Sequence, residues 1–376
     1  MNKQLRLINS GVLYANPYQG DWAIHAYHPR ILEVSPNELI CVYRRGSAMY
    51  SDDGRSFILR SQDNGDTWQD EGVVWDGVSD EKAYDYSATN LAMMRDGEII
   101  LTGYRVHRPE PDMLFYNEKT GTCLPEETIL FRSRDKGLTF SAPEVIKKPE
   151  GKYLEITGSV VELNNGNWLI PFDIGKAYDD PSHLHLYVLG FISKDRGKTW
   201  EELIPIAGSP DYEKTFWHAR LIKLADGRVI CFPWTGDNNG QQFLSLHRVV
   251  SDSDGRNWSK PEPIDIPGQT SCPVDLGNNR MALVYSLRDA DQPGIYMVLS
   301  EDEGKSWDTE KQVQIWDAYG KESLEVARTA TYPSSHDNIA YGAPHATQLT
   351  NGDIMSCFWA GQSGQMICRW FRLRVE

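Results

Sequence analysis

SQDNGDTW (61–68), SRDKGLTF (133–140), SKDRGKTW (193–200), SDSDGRNW (251–258) and SEDEGKSW (300–307) are five copies of one octapeptide, Ser-x-Asp-x-Gly-x-Thr-Trp. In the second copy Phe140 replaces the Trp, and in the fourth Ser253 stands at the acid position with Asp254 after it. The chemistry is that of a turn. Ser and Asp side chains bond nearby backbone N–H groups, Gly supplies a positive φ, and the aromatic anchors the turn on the next layer. Apolar runs precede most copies: SFILR before Ser61, ETILFR before Ser133, LYVLGFI before Ser193 and IYMVL before Ser300. Each box is therefore expected to close a β-hairpin.

A second repeat interleaves with the first. RILEVSPNELICVY (30–43), NLAMMRDGEIILTGY (90–104), SVVELNNGNWLIPF (159–172), RLIKLADGRVICFP (220–233), PVDLGNNRMALVY (273–285) and ATQLTNGDIMSCFW (346–359) each read as strand, tight turn, strand. Asn-Gly and Asp-Gly between apolar strands are strong hairpin signals. Together the repeats describe six four-stranded units, and six such sheets around an axis make a six-bladed β-propeller of antiparallel sheets. A β-sandwich pair and a β-helix are the competing architectures, and the box spacing is too long for a β-helix coil. The last unit lacks a box. Its third strand is expected at 365–375, and segment 5–15 supplies the fourth, so that residues 1–376 form a single domain whose ring closes on its own N-terminus.

The composition, with 40% hydrophobic and 24% charged residues, is that of an ordinary globular chain. A net charge of −15 disfavours nucleic acid and anionic membranes as partners. The six cysteines form no Cys-x-x-Cys and no zinc spacing; Cys41, Cys231 and Cys357 lie in apolar runs as core thiols. Reduced thiols and the absence of an apolar leader point to the cytoplasm, although a trimmed signal would leave a similar chain.

The boxed turns on six four-stranded units resemble those of the sialidase (neuraminidase) superfamily, the Asp-box or BNR-repeat propellers, over essentially the whole chain. The resemblance implies a catalytic mouth at one end of the ring. There three arginines hold a carboxylate, an Asp acts as the acid, and a Tyr–Glu pair as nucleophile. Arg30 in HPRIL takes the place of the first arginine, with Leu32 where the family has Pro. Asp52 and Asp53, in the loop before the first box strand, take the place of the acid. Counting back from the hairpin turns puts the family Glu at Thr157, with Glu155 on the same face, and the family Tyr at Ala343, with Tyr341 two residues earlier. The same count lands on His218 in the fourth unit. Trp234 stands where a second arginine belongs, so Arg44, Arg45, Arg105 and Arg288, at the ends of second strands, are the further candidates for binding substrate.

Each candidate also has a structural reading. A buried Arg30 needs a carboxylate, from substrate or protein. Asp52 and Asp53 precede Gly54 in a turn sequence. Glu155 is a rim carboxylate, and Tyr341 sits at a strand start where packing is common. His218 and His345, with Tyr341, are a suitable base and acid for β-elimination beside a uronate. Trp217, Trp234 and Trp359 suit sugar stacking or blade packing equally. The stretches 107–127 and 176–185 are expected to be rim loops. The expectation is an exo-acting glycoside hydrolase on a terminal, anionic sugar, with carbohydrate as its partner and neither metal nor cofactor. A polysaccharide lyase and a non-catalytic glycan-binding propeller are the alternatives.

Overall fold

The computed structural model describes residues 4–376 except 77–84, 107, 111–112, 151–152, 184, 210, 239–241, 253, 289–290 and 319–339. The second strands are the apolar runs of the second repeat, and they are buried along almost their whole length: Leu39–Tyr43, Ile99–Leu101, Trp168–Phe172 and Met281–Tyr285 are inaccessible or nearly so. Covered on both faces, such strands read as continuous rather than alternating hydrophobicity.

The strands assemble into six antiparallel sheets, the blades of a β-propeller. Blade one runs His25–Ser35, Glu38–Gly46, Arg55–Ser61, Gln69–Val73, from the first strand to the fourth. Blade two runs Asp85–Met93, Ile99–Val106, Glu126–Ser133, Glu144–Val145. In blade three the first strand is broken into Tyr153–Ile156 and Val161–Glu162, followed by Trp168–Gly175, Val188–Ser193 and Glu202–Ala207. Blade four is divided. Thr215–Trp217, Trp234–Gly236 and Phe243–Leu244 form one part, and Ile222–Lys223, Val229–Cys231, His247–Val250 and Glu262–Pro263 the other. Pro233, which has no N–H to give to a ladder, lies at the division. Blade five runs Ser271–Gly277, Arg280–Leu287, Gly294–Ser300, Val313–Asp317. Blade six runs Tyr341–Gln348, Ile354–Gln362, Gln365–Val375 and then Leu5–Tyr14, the N-terminal strand pairing with the C-terminal one.

Hydrogen bonds join each blade to the next around the circle. Tyr86 N–H donates to Gly54 O (3.1 Å), Arg95 N–H to Glu162 (2.8 Å), His218 N–H to Asp173 (2.9 Å), and Ser271 Oγ to Phe232 O (2.8 Å). Tyr341 Oη donates to Leu287 O (2.6 Å), and Thr350 N–H to Glu33 (2.7 Å), which links blade six to blade one. All six cysteines are free and buried. Among the described residues no helix is long and apolar enough to cross a membrane.

The boxes lie between third and fourth strands, at the end of the ring opposite the N-terminal ends of the first strands. In the first box, Asp63 accepts from Thr67 N–H (2.9 Å) and Thr67 Oγ1 (2.5 Å), Ser61 Oγ accepts from Gly65 N–H (2.7 Å), and Trp68 Nε1 donates to Gly65 O (3.0 Å). Asp135, Asp195 and Asp302 likewise accept from the backbone N–H of Thr139, Thr199 and Ser306. Gly197 has a φ of 81°, and a Cβ there would fall 2.9 Å from the Trp168 ring, so both conformation and space demand glycine. The fourth box corrects the sequence reading. Asp252, one residue early, is the acid that accepts from Arg256 N–H (3.1 Å) and Asn257 Nδ2 (2.5 Å), while Ser253 lies outside the described residues.

Slight burial opposes ionisation of Asp63, but bonds from Thr67 and Ser61 outweigh it and hold its carboxyl at about 2. A pKa lowered by folding contributes stability that is present above the ordinary carboxylate range and lost as pH falls through the folded value. Asp63→Ala is therefore expected to cost about 1 kcal/mol at neutral pH. In thermal unfolding the gap between the wild type and this variant should narrow steadily as pH falls from 5 to 2.

Candidate active site

The first strands of blades one, four and six share an irregularity. His28, His218 and Ala343 have φ of 54°, 55° and 48°, in the left-handed region that non-glycine residues seldom occupy. Each is followed by Pro or Ala and then by a long cationic or imidazole side chain: His28-Pro29-Arg30, His218-Ala219-Arg220, Ala343-Pro344-His345. The pairing registers slip between Tyr27 and Arg30 and between Gly342 and His345, as at a β-bulge. Bulges re-aim side chains, and strain of this kind is commonly held at functional sites.

The bulges bring three guanidinium groups onto one short stretch of backbone. Arg30 Nη1 donates to Ala343 O (3.0 Å), Arg220 Nη1 donates to Pro344 O, and Arg288 Nε donates to Tyr341 O (3.2 Å). Arg30 and Arg220 are 5% and 9% exposed, at the floor, whereas Arg288 is half-buried and lies over the Trp234 ring at 5.6 Å. Among the described residues none of the three has a carboxylate in an ion pair, and Arg220 Nε, Trp234 Nε1 and Trp359 Nε1 are buried donors without an acceptor. The opposite end of the ring differs: there Glu98 is surrounded by Arg132 (3.5 Å), Arg134 (2.9 Å) and Arg196 (2.9 Å). Burial lowers the proton affinity of Arg30 and Arg288; for Arg220 burial is the larger cause and the Arg30 charge adds to it. Burial, followed by the arginine charges, also lowers His28 and His345 well below the usual imidazole value, so both are neutral at pH 7.

A group of carboxyls flanks this cationic floor. Asp173 (3% exposed) accepts from His218 N–H at 2.9 and 3.2 Å, and across the strand pair it stands directly opposite Glu155. Glu155 Oε1 accepts from the Cys123 thiol at 2.9 Å. Burial raises Asp173 well above the usual carboxylate range, with Glu155 adding and the His218 bond opposing. Burial also raises Glu155, against the Cys123 bond and the Lys148 charge, and raises Glu126, with the Glu155 charge next in importance.

The residues expected from sequence fall into distinct groups. Arg30, Arg288, His218 and His345 converge, with His345 Nδ1 accepting from Ile31 N–H (3.5 Å) and the His218 ring stacked on Trp234 (6.0 Å, 20°). Trp217 and Trp234, each 5% exposed, pack on one another at 4.7 Å, and Trp234 packs on Phe243 at 4.9 Å. Arg44 is fully buried in an ion pair with Asp85 (3.0 Å) and donates to the carbonyls of Ala48 (2.7 Å) and Ser51 (2.8 Å), so both its terminal nitrogens serve the protein. Arg45, next in the strand and so on the other face, lies over the Phe57 ring (3.3 Å) and pairs with Asp70 on the outermost strand of blade one. Arg105 pairs with its cross-strand neighbour Glu127 at 2.7 Å. Asp52 is exposed, with its backbone carbonyl accepting from Arg55 (3.4 Å). Asp53 accepts from Ser47 N–H (3.0 Å) and Ser47 Oγ (3.1 Å). Partial burial opposes ionisation of Asp53, but the Ser51 and Ser47 bonds prevail and leave it lowered, the state of a turn carboxylate rather than a proton donor.

The pairing of Tyr341 with Glu155 is not formed. Tyr341, 3% exposed, packs on Trp316 (4.9 Å) and gives its proton to Leu287 O, while Glu155 is bonded to Cys123. The 107–127 stretch is an excursion whose strands Tyr116–Asn117 and Thr122–Cys123 form a small hairpin, with His107 outside the described residues. Phe115 stacks on Tyr50 (4.5 Å), and Thr120 Oγ1 (2.6 Å) and Asn117 Nδ2 (2.9 Å) donate to Tyr178 O, tying the excursion to the second rim loop. Three residues escaped the sequence reading. Arg220 is signalled by the tripeptide His-x-Arg shared by 28–30 and 218–220, Asp173 by a charge that interrupts the buried run WLIPFDI, and Glu126 by no comparable pattern.

The mouth of the propeller thus holds three arginines that have no carboxylate in an ion pair among the described residues. A family profile for the BNR repeat-like domain matches residues 104–355, and the chain belongs to that family. No curated protein matches the chain. Among solved structures it is similar to a protein of unknown function from Dyadobacter fermentans DSM 18053 (TM-score 0.73, 19% identity, covering 99% of this chain and 100% of that one). It is also similar to the NanB sialidase of Streptococcus pneumoniae (TM-score 0.62, 14% identity, 97% and 70%). A third is the alpha-L-arabinanase of Penicillium chrysogenum complexed with arabinobiose (TM-score 0.63, 14% identity, 97% and 98%). At these identities the likeness is one of fold.

The Arg44–Asp85 pair props the rim, and Gly54 makes room for it: a Cβ there would fall 1.9 Å from Arg44 Nη2 and 2.3 Å from Asp85 Oδ1. Asp85→Ala strands a buried guanidinium and is expected to cost about 3–5 kcal/mol in urea unfolding. Arg45→Ala, by contrast, should cost about 1 kcal/mol or less.

Proposed function

We propose that this protein is a sialidase-like glycoside hydrolase that takes a terminal acidic sugar and grips its carboxylate with Arg30, Arg220 and Arg288. The observation that carries this reading is the set of three converging guanidiniums bonded to backbone carbonyls and, among the described residues, in ion pairs with no carboxylate. Carbonyl dipoles satisfy some donors but supply no counter-charge, and a buried cation without one is costly. A carboxylate entering between them would supply that charge and match the guanidinium fork in geometry. The same interactions orient the sugar, so that its anomeric carbon faces the flanking carboxyls. The indole N–H groups of Trp234 and Trp359 add donors for the ring hydroxyls, and the excursion docked on Tyr50 and Tyr178 walls the rim as an exo-acting site requires. The sialidase and arabinanase names of two structural neighbours agree with glycoside hydrolysis as the reaction class.

The elimination reading draws on the neutral His345, but Tyr341, its acid partner, already gives its proton to Leu287 O, which favours hydrolysis. The test is turnover of para-nitrophenyl glycosides of N-acetylneuraminate, glucuronate and glucose. The acidic glycosides should be cleaved and the glucoside left intact. Arg30→Ala should lower kcat/KM about 100-fold or more, as expected for removing a buried charged contact, with the melting temperature nearly unchanged. Equal turnover of the neutral glucoside would overturn the clamp. A product with the ultraviolet absorbance of a conjugated double bond would replace hydrolysis by elimination, and binding without released sugar would make the propeller a binder.

A further inference from the structure

We propose that Glu155 and Asp173 hold one proton between them and that Glu155 is the proton donor of the hydrolysis, with Asp173 fixing both that proton and the arginine clamp. The inference rests on the hydrolase reading above and assigns a donor that the loop carboxylates do not supply, since Asp52 is exposed and Asp53 is bonded into its turn.

The geometry is that of two carboxyls forced together. Glu155 and Asp173 are a direct cross-strand pair in blade three, and like charges at such positions repel. Neither carboxyl forms an ion pair among the described residues. The nearest cation, Lys148, gives its Nζ protons to the carbonyls of Glu126 (2.8 Å) and Leu154 instead. Glu126 on the adjoining strand of blade two adds a third carboxyl, whose Oε2 is buried without a partner, and Asp85 adds its charge to Glu126. The other polar groups facing the pair are the Cys123 thiol and the His218 backbone N–H. Like charges crowded in a poorly solvated place cannot all ionise, so one proton stays with the pair at neutral pH. Burial pushes both groups up, and the Glu155 charge adds to the rise of Asp173.

The division of labour follows from exposure. Asp173 is 3% exposed and has both oxygens on His218 N–H, whereas Glu155 is half-buried and open to the rim. Two residues beyond His218, in the segment between Trp217 and Ile222, stands Arg220, nine-tenths buried with its Nε unpartnered, a donor in want of an anion. The carboxyl pair is thus tied through one backbone N–H to the bulge that aims the clamp. In the reaction, Glu155 gives its proton to the glycosidic oxygen as the bond from that oxygen to the anomeric carbon breaks, with the bonding electrons going to the oxygen. Water then forms the new bond to the anomeric carbon and loses a proton to the Glu155 carboxylate, restoring the acid.

The test compares leaving groups. Methyl and para-nitrophenyl glycosides of N-acetylneuraminate, with the matching glucuronides in parallel, are given to wild type, Glu155→Gln and Asp173→Asn. Methanol needs a proton to leave and nitrophenolate does not. Glu155→Gln should therefore lose about 100-fold or more on the methyl glycoside and about 10-fold or less on the nitrophenyl one. Asp173→Asn removes the repelling charge yet can still accept from His218, so the alkaline limb of its kcat/KM profile should move to lower pH, and any loss of rate should be similar on the two glycosides. Separately, the infrared band of a protonated carboxyl should be present in wild type at neutral pH and altered in intensity or position in Glu155→Gln. Equal loss by Glu155→Gln on both glycosides, or none, overturns the donor role. An absent infrared band overturns the shared proton. A wild type inert on every glycoside overturns the hydrolase reading and the donor role with it, while the infrared result still judges the carboxyl pair.

Discussion

The carbonyls of Tyr341, Ala343 and Pro344 receive protons from Arg288, Arg30 and Arg220, and that contact organises the mouth. The arginines belong to blades five, one and four, and the acceptors to blade six. They meet only because the sheets close into a ring and because the inner strands carry bulges that turn side chains inward. Backbone carbonyls can orient a guanidinium without neutralising it. The result is a preorganised positive floor, in a chain that is otherwise strongly acidic, and this is the feature on which the proposed carboxylate grip rests.

The two ends of the propeller divide stability from chemistry. At the box end most special residues are satisfied: Asp63 by backbone N–H, Ser61 by Gly65 N–H, Trp68 by a carbonyl, and the buried Glu98 by arginines. At the mouth the pattern reverses. Positive φ at His28, His218 and Ala343, crowded carboxyls at Glu155 and Asp173, and orphan donors at Arg220 and Trp234 are all unfavourable by themselves. They persist because the frame is over-determined, with the buried Arg44–Asp85 pair and the box turns holding strands that the mouth would loosen.

The fold was legible because its determinants are local. A turn octapeptide and an Asn-Gly or Asp-Gly hairpin each need only a few adjacent residues, and their alternation counts the blades. The site was legible only in part. Arg30, read from the HPRIL motif, Arg288, from its place just past a second strand, His218, from counting back from a hairpin turn, and His345, at the opening of an inner strand, lie close together at one mouth. The same counting failed for Tyr341 because strand parity does not survive a bulge: the extra residue between Gly342 and His345 sends Tyr341 into the seam with blade five. For Glu155 the count runs across the break in its strand between Ile156 and Val161, so parity alone does not fix its facing. Arg220 was overlooked because the second arginine was sought on the second strand, at Trp234, when the repeated His-x-Arg places it on the first. Pairings such as Arg44 with Asp85 and Arg105 with Glu127 depend on contacts between strands or blades, which no single-strand pattern reveals.

The central claim is that the mouth recognises a carboxylate. Its most direct test is calorimetric titration of the wild type and Arg220→Ala with N-acetylneuraminate, glucuronate and the methyl ester of each. The account predicts that at least one free acid binds the wild type, that its ester binds far more weakly, and that Arg220→Ala abolishes the difference between acid and ester. Equal affinity for acid and ester in the wild type would contradict it.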